Sequence, residues 1–347
     1  MSTHQIEIDG SVGEGGGQIL RSSLALSLLT GKPFRLRNIR ARRKNPGLQP
    51  QHLMSVRAAA QIGQAEVIGA SRGSSDLVFK PNTIVAGDYE FAIGTAGATS
   101  LVLHTVYLPL ALRATEPSRI VIKGGTHVMM SPSSDFLITT WQGYMTQLGL
   151  KLSIALHRLG FYPKGAGEIE ARVQPIAAVN SWNLTEKTEI KNVRVVGAVA
   201  GLPKDIAGRL VRRVTQRFKQ FDANLKVQGE QQEWEGGPGV VLTLELQTQP
   251  VTTLFFGLGK RGKKAEQVAD EVFDEAVTFL MCPYAVVDPH SADQLVLPLV
   301  FANGSSSYGV AEVTEHLTTN IAVIQKFVDR TIRCEGTVGK AGTVFVD

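Results

Sequence analysis

A histidine at the start of a helix, a glycine-rich turn carrying a carboxylate, and a run of arginines are the features of this 347-residue chain best suited to phosphate chemistry. Gly13-Glu14-Gly15-Gly16-Gly17-Gln18 lies between a predicted strand and a predicted helix. Backbone N–H groups there, with the helix dipole behind them, can receive a phosphate. The segment is not the dinucleotide fingerprint, because Leu20 stands where the third glycine belongs. The glycines alone read equally well as a tight turn or an anion site. Glu14 and Gln18 favour a hard cation bridging carboxylate and phosphate over a merely solvated turn. Gly257 to Lys264 nearly completes a P-loop, but Lys264 occupies the Ser/Thr position that would hold magnesium, so a basic loop is the better reading.

His316 has the best context among the seven histidines. It follows Thr314-Glu315 at the start of a predicted helix, where the positive helix end disfavours imidazolium and keeps the ring neutral and nucleophilic near pH 7. His52 has a similar helix-start position, so location alone does not select between them. His290-Ser291-Ala292-Asp293-Gln294 opens another helix, and Asp293 reads either as its capping carboxylate or as a metal or nucleotide contact. Arg35 to Lys44 concentrates six basic residues in ten. Strand alternation assigns Arg35 and Arg37 to one face and Arg40 and Arg42 to the other, so some of these charges must meet an anion or a carboxylate. A nucleic-acid backbone or a triphosphate is a candidate, with Arg21, Gln51 and Arg57 nearby in sequence.

The elements that position these residues follow a repeat. Helical and strand periodicities recur as helix, strand, helix, strand, strand from near Gln18, from Thr99 and from about Ala292. Gln18 and Thr99 are 81 residues apart, whereas Thr99 and Asp293 are 194 apart, an excess of about 113. That excess carries its own strands and helices. The expected fold is α/β (α+β): a main domain of three repeated βα units at 1–181 plus 283–347, with a smaller α/β domain inserted at 182–282.

Composition bounds the partners. The formal net charge is +5 and glycines number 35, without a low-complexity run. A polyanionic partner is worth testing on the charge. The apolar runs are shorter than the ~20 residues of a membrane span, and the first ten residues lack a signal-peptide pattern. Cys282 and Cys334 stand far apart with no metal-ligand spacing, which excludes a disulfide scaffold and a zinc ribbon and places the protein in the cytoplasm.

Five motifs in order, Gly13-Glu-Gly-Gly-Gly-Gln-Ile-Leu-Arg21-Ser, Arg40-Ala-Arg-Arg-Lys-Asn-Pro-Gly-Leu with Gln51-His-Leu, Gly160-Phe-Tyr-Pro-Lys-Gly-Ala-Gly, Ser291-Ala-Asp-Gln-Leu-Val-Leu-Pro and His316-Leu-Thr-Thr-Asn-Ile-Ala-Val, resemble the RNA 3′-terminal phosphate cyclase family across essentially the whole chain. The resemblance implies ATP-dependent conversion of an RNA 3′-phosphate into a 2′,3′-cyclic phosphodiester, with His316 as the nucleophile that takes up AMP. It implies Glu14 at a magnesium or manganese ion, Arg21, Arg40 and Arg42 near phosphates, and Gln18 and Gln51 in polar support. It places His290, Ser291, Ala292, Asp293 and Gln294 around the nucleotide with Pro132 and His104. Two positions depart from the family pattern: His104 stands where Gln is common and His290 where Tyr is common. Both rings can still stack on or hydrogen-bond with adenine. The expected partners are RNA with a 3′-phosphate end and ATP, with no membrane. Two other readings are a non-catalytic cyclase-like protein of ribosome assembly and an enolpyruvyl transferase of related architecture. His316 in its full Leu-Thr-Thr-Asn context disfavours the first, and the second would need no covalent nucleotide.

Overall fold

The computed structural model describes residues 5–184, 186–187 and 189–347. The chain opens with β1 (Ile6–Asp9), α1 (Gly17–Thr30), β2 (Phe34–Arg37), α2 (Pro50–Ile62), β3 (Glu66–Ile68) and β4 (Leu77–Lys80). These strands form a sheet in the order β1-β2-β4-β3, parallel in the first pair and antiparallel in the others. Next come β5 (Asp88–Ala92), α3 (Thr99–Arg113) and β6 (Ser118–Gly124), then a helix of α4 (Ser134–Phe136), a π-helical turn (Leu137–Trp141) and α5 (Gln142–Gln147), then β7 (Leu152–Arg158) and β8 (Gly167–Val173). Their sheet, β5-β6-β8-β7, repeats the same order and the same directions.

After β9 (Val179–Asn180) and β10 (Asn183–Leu184) the chain builds a different unit: β11 (Asn192–Ala200), α6 (Asp205–Phe221), β12 (Lys226–Trp234), β13 (Gly239–Leu246), β14 (Thr253–Leu258) and α7 (Ala265–Met281). Its sheet runs β12-β11-β13-β14, and α6 and α7 pack on it around a separate apolar cluster. The chain closes with α8 (Pro289–Leu299), β15 (Ala302–Asn303), β16 (Ser306–Val310), α9 (Glu315–Ile324), β17 (Ile332–Glu335) and β18 (Gly342–Val346). A third sheet, β10-β16-β18-β17, has the order of the first two. The fold is mixed α/β, as composition and periodicity imply.

Four differences from the expectations have physical causes. Each repeated unit begins one strand earlier than the helix at which the pattern was read. Those leading strands, β1, β5 and β10, are four, five and two residues long, and β1 is the strand expected ahead of Gly13. Leu184 pairs with Tyr308, so β10 belongs to the third sheet although it falls within 182–282. β12 escaped notice because it is a polar, largely exposed edge strand with no buried face to mark its period. Finally, β2 ends at Arg37, and Asn38 and Arg40 take positive φ values of 56° and 54°. Arg40 and Arg42 therefore lie in a turn, and the two-faced alternation inferred for the arginines stops at Arg35 and Arg37. Those two point away from the buried Phe34 and Leu36 and pair with Asp76 and Glu7.

The helix α1 is buried on nearly every side, packing against α2, α3 and α9. Its serines are compatible with that burial because each finds an acceptor: Ser23 Oγ donates to Ile19 O at 2.7 Å and Ser27 Oγ to Lys32 O at 2.6 Å. At the far end, Arg113 of α3 donates to Leu29 O at 2.7 and 3.0 Å, tying the two central helices together. No described helix is long and apolar enough to cross a membrane. Leu24 is fully buried in this contact. Leu24→Ala is expected to cost about 2–5 kcal/mol, read as a lowered urea midpoint at unchanged slope.

Candidate active site

Three helices from two distant parts of the chain meet at His316. Thr314 caps α9, accepting the Leu317 N–H at 3.1 Å, which sets His316 in the first turn. Its Nδ1 lies 3.0 Å from Gln18 Oε1 on α1. The Gln18 Nε2 donates to Asp293 Oδ2 on α8. Asn320 Nδ2 donates to Asp293 O at 2.7 Å, and Ser22 Oγ donates to Asn320 Oδ1 at 2.5 Å, which closes the junction of the three helices.

This line selects a tautomer. An ionised carboxylate only accepts, so the Gln18 NH2 must face Asp293 and its carbonyl must face His316. Nδ1 then carries the proton, and the lone pair sits on Nε2. Burial lowers the His316 pKa below its ordinary value, with Arg21 and Arg43 acting in the same direction and Asp293 opposing them. Burial raises the Asp293 carboxyl, opposed by His316 and Arg21. Asp293 does not cap α8. That role belongs to Asp288, which accepts from His290 N at 3.0 Å and Ser291 N at 2.9 Å.

The glycine turn brings Glu14 to the same place. Gly13 has φ +61° and any Cβ there would collide with Thr319 Oγ1, the group that accepts the Glu14 N–H at 3.1 Å. The Glu14 side chain, only 5% exposed, pairs with Arg43, and its Oε1 is 3.7 Å from His316 Nδ1. Among the described residues no three His, Cys, Asp or Glu side chains cluster as a metal cage. A lone carboxylate suits a magnesium-like ion that takes its remaining ligands from phosphate and water.

The other candidates for phosphate contact divide. Arg21 borders the cavity, where burial pulls its guanidinium down to about 10 against the charge of Asp293. Arg42 is exposed at the edge of the glycine turn, with Nη1 3.4 Å from Gly13 O. Arg40 is instead used by its own loop, donating to Gly47 O at 3.1 Å and to Asn45 O. Gln51 Oε1 accepts the Ala98 N–H at 3.0 Å and so fastens α2 to the start of α3. His52, the rival histidine, is buried with Nδ1 accepting the Gln49 N–H at 3.3 Å. Burial, with the charges of Arg21 and Arg40, holds it at about 3.

Beside His316 opens a cavity of about 750 Å³. Tyr107, Phe136, Trp141, Phe256 and Phe279 give it an aromatic lining, and Pro132 borders it. Polar and charged side chains line the rest of it, among them Arg21, His104, Asp293 and Gln294. The His104 ring lies 4.8 Å from that of Trp141, and its Nε2 is buried without a hydrogen-bond partner. Burial and then Arg21 keep His104 neutral, at about 3. Gln294 Oε1 is likewise buried and unpartnered, while its Nε2 donates to His290 O at 2.6 Å. His290 Nε2 lies 2.5 Å from Glu275 Oε1 on α7. Burial works against its charge, but the hydrogen bond and charge of Glu275 outweigh burial and push it up to about 9. Ser291 and Ala292 stand behind this wall. Ala292 O accepts from Tyr308 OH at 2.6 Å, and neither residue borders the cavity. An aromatic cavity of this size with two orphaned polar atoms fits a purine base.

A family model described as RNA 3′-terminal phosphate cyclase matches residues 12–334. The chain belongs to that family. It is 45% identical over 334 residues to the RNA 3′-terminal phosphate cyclase of Ectopseudomonas mendocina, covering 96% of each chain. It is 44% identical to the protein of that name from Ralstonia nicotianae, covering 93% of this chain and 91% of the other. The Salmonella typhimurium protein is 41% identical over 96% of each. A solved EPSP synthase from Acinetobacter baumannii aligns at a TM-score of 0.27 and 10% identity, covering 94% of this chain and 62% of that one.

Several lining residues were beyond sequence reasoning. Tyr107 comes from α3 and Trp141 from the π-helical turn, and Phe256, Lys263, Glu275 and Phe279 come from β14, the loop after it and α7. From the near P-loop Gly257–Lys264, expected to be a basic loop, Gly257, Leu258 and Lys263 border the cavity. The titrations make the site testable. By histidine NMR, His316 should titrate with a midpoint below 6.5 and His290 near about 9, whereas His52 and His104 stay neutral down to about pH 4. His52 and His104 have pKa values depressed by folding, so the unfolded chain binds the extra protons. Stability is therefore lost as pH falls from about 6.5 towards about 3, which acid unfolding of the protein would register.

Proposed function

We propose that the protein closes an RNA 3′-terminal phosphate onto its neighbouring 2′-hydroxyl to give a 2′,3′-cyclic phosphodiester, consuming ATP and releasing pyrophosphate and AMP. The observation that carries this reading is the Asp293–Gln18–His316 line, which leaves the imidazole lone pair on Nε2 at the rim of a base-sized aromatic cavity. A non-catalytic RNA-binding role gives that line no task.

The chemistry follows in three balanced steps. His316 Nε2 attacks the α-phosphorus of ATP, a P–N bond forms, and the bond to pyrophosphate breaks. An oxygen of the RNA 3′-phosphate attacks the same phosphorus, the P–N bond breaks, and His316 is restored. The 2′-hydroxyl, held beside the activated 3′-phosphorus, then displaces AMP and loses its proton. Dividing the condensation this way replaces a poor leaving oxygen with good ones, and the last step draws on proximity. Gln18 keeps the imidazole in register, and the neutral ring favoured by burial is the nucleophilic form. Arg21 and Arg42 face phosphate oxygens. His104 and Gln294 present polar atoms to the base edge between Pro132 and the aromatic walls, with His290 beside them. A magnesium or manganese ion at Glu14 would neutralise phosphate charge.

We further propose the division into 1–181 plus 283–347 as the catalytic domain and 182–282 as the insertion, with Asn183 and Leu184 contributing to the outer domain's sheet. A cytoplasmic setting agrees with the two free cysteines.

Incubation with α-labelled ATP and either metal should leave acid-labile label on the protein, and His316→Ala should remove both label and cyclisation. Persistence of both would sink the mechanism. Gln18→Ala misaligns the ring and should slow labelling by about 100-fold. RNA affinity should fall with salt at a slope of about −0.7 per phosphate neutralised, and Arg42→Ala should flatten that slope by one such increment. An unchanged slope would remove Arg42 from phosphate contact.

A further inference from the structure

Three large apolar side chains are left in solvent on adjoining loops: Met129, Met130 and Tyr162 are 56%, 85% and 77% exposed. They come from two loops that are hydrogen-bonded to each other. The Thr126 and His127 N–H groups both donate to Gly160 O, at 2.9 and 3.1 Å, and His127 pairs with Phe161 as an isolated bridge. Met129 and Met130 border the cavity itself.

The loop that displays Tyr162 is braced on three sides. At its base, Thr126 Oγ1 accepts the Gly160 N–H at 2.8 Å and lies 2.9 Å from His127 Nδ1, while His127 Nε2 lies 2.7 Å from Asp135 Oδ2. Phe161 is 8% exposed and packs with Ala198, Ala200, Val241 and Leu258 of the insertion. Gly165 has φ +70° and a Cβ there would lie 2.7 Å from Thr95 O, so the loop sits directly on the 94–98 turn. A segment held this firmly, with one ring buried and the next in solvent, presents an aromatic surface whose ordering is complete before any ligand arrives.

Charge continues along the same path. Lys164 is exposed, and no carboxylate pairs with it among the described residues. The 94–98 turn is fastened to α2 through Gln51 and Ala98, and α2 follows directly on the turn that carries Arg42 and Lys44. Lys44 is exposed and, among the described residues, likewise lacks a carboxylate partner. An exposed aromatic on the same loop as an unpaired lysine, with further cations on the adjoining turn, is the composition of a single-strand nucleic-acid surface, where bases stack and phosphates are neutralised.

We propose that this surface carries the nucleotides upstream of the RNA 3′ end, with Tyr162 as a stacking platform, Met130 flanking it at the cavity rim, and Lys164, Arg42 and Lys44 facing the backbone. It rests on the reading of the cavity as the place where a 3′-phosphate is activated. On this account the insertion also acts on RNA indirectly, by seating Phe161 and so fixing Tyr162.

The test is fluorescence anisotropy of a single-stranded, 3′-phosphorylated oligoribonucleotide with full-length protein. Tyr162→Ala should weaken binding about tenfold, Tyr162→Phe should retain it, and Lys164→Ala should flatten the salt slope by about 0.7. Wild-type affinity in both alanine variants would overturn the proposal. So would unchanged RNA affinity in Tyr162→Ala joined to a change of mass in sedimentation, which would assign the patch to contact between copies. Self-labelling of the wild-type protein by ATP, run in parallel, separates the two readings. Its absence would strike the role of His316, while the anisotropy series still decides the platform.

Discussion

One side-chain amide organises the centre of this molecule. Gln18 joins the carboxylate of Asp293 to the imidazole of His316, and it does so from a helix that is buried almost all round. An amide has a donor end and an acceptor end, so fixing one fixes the other. The proton on Nδ1 and the free electron pair on Nε2 follow from the position of a carboxylate on α8. Every requirement on the surrounding fold is then a requirement that α1, α8 and α9 meet at a set distance and angle, which Ser22 and Asn320 help hold.

The repeated units supply that meeting. Each forms a four-stranded sheet of the same order, so helices at equivalent positions come from sequence-distant copies. α1 opens the first copy, and α8 and α9 belong to the third, so nearly the whole chain separates residues that end at hydrogen-bond distance. The burial that makes the junction rigid also sets its electrostatics. Partial burial of the His316 ring favours its neutral form, and the charges of Arg21 and Asp293 act on that imidazole in opposite directions.

The unit between β10 and α8 is more than an appendage. Its β14 and α7 provide one wall of the cavity, and Glu275 reaches across to His290. That pair keeps His290 protonated where an isolated ring would be neutral, which places a cation at the edge of the aromatic lining. The same unit buries Phe161 and thereby positions the loop beside it.

The candidate histidine, the glycine turn, the repeat and the family were legible in the chain because each depends on local order: a residue at a helix start, glycines where φ must be positive, periodicities that recur. Asp293 was found as a candidate but with an ambiguous role, since helix position does not say which way a side chain faces. By resemblance Arg40 was expected near phosphate and Gln51 in polar support; in the fold Arg40 donates to Gly47 O and Gln51 accepts the Ala98 N–H. β12 was invisible for lack of a buried face. The sequence by itself determined which residues were chemically able to act. Only the tertiary structure decided which of them share a cavity, because hydrogen bonds and desolvation act over a few ångströms in space and are indifferent to separation along the chain.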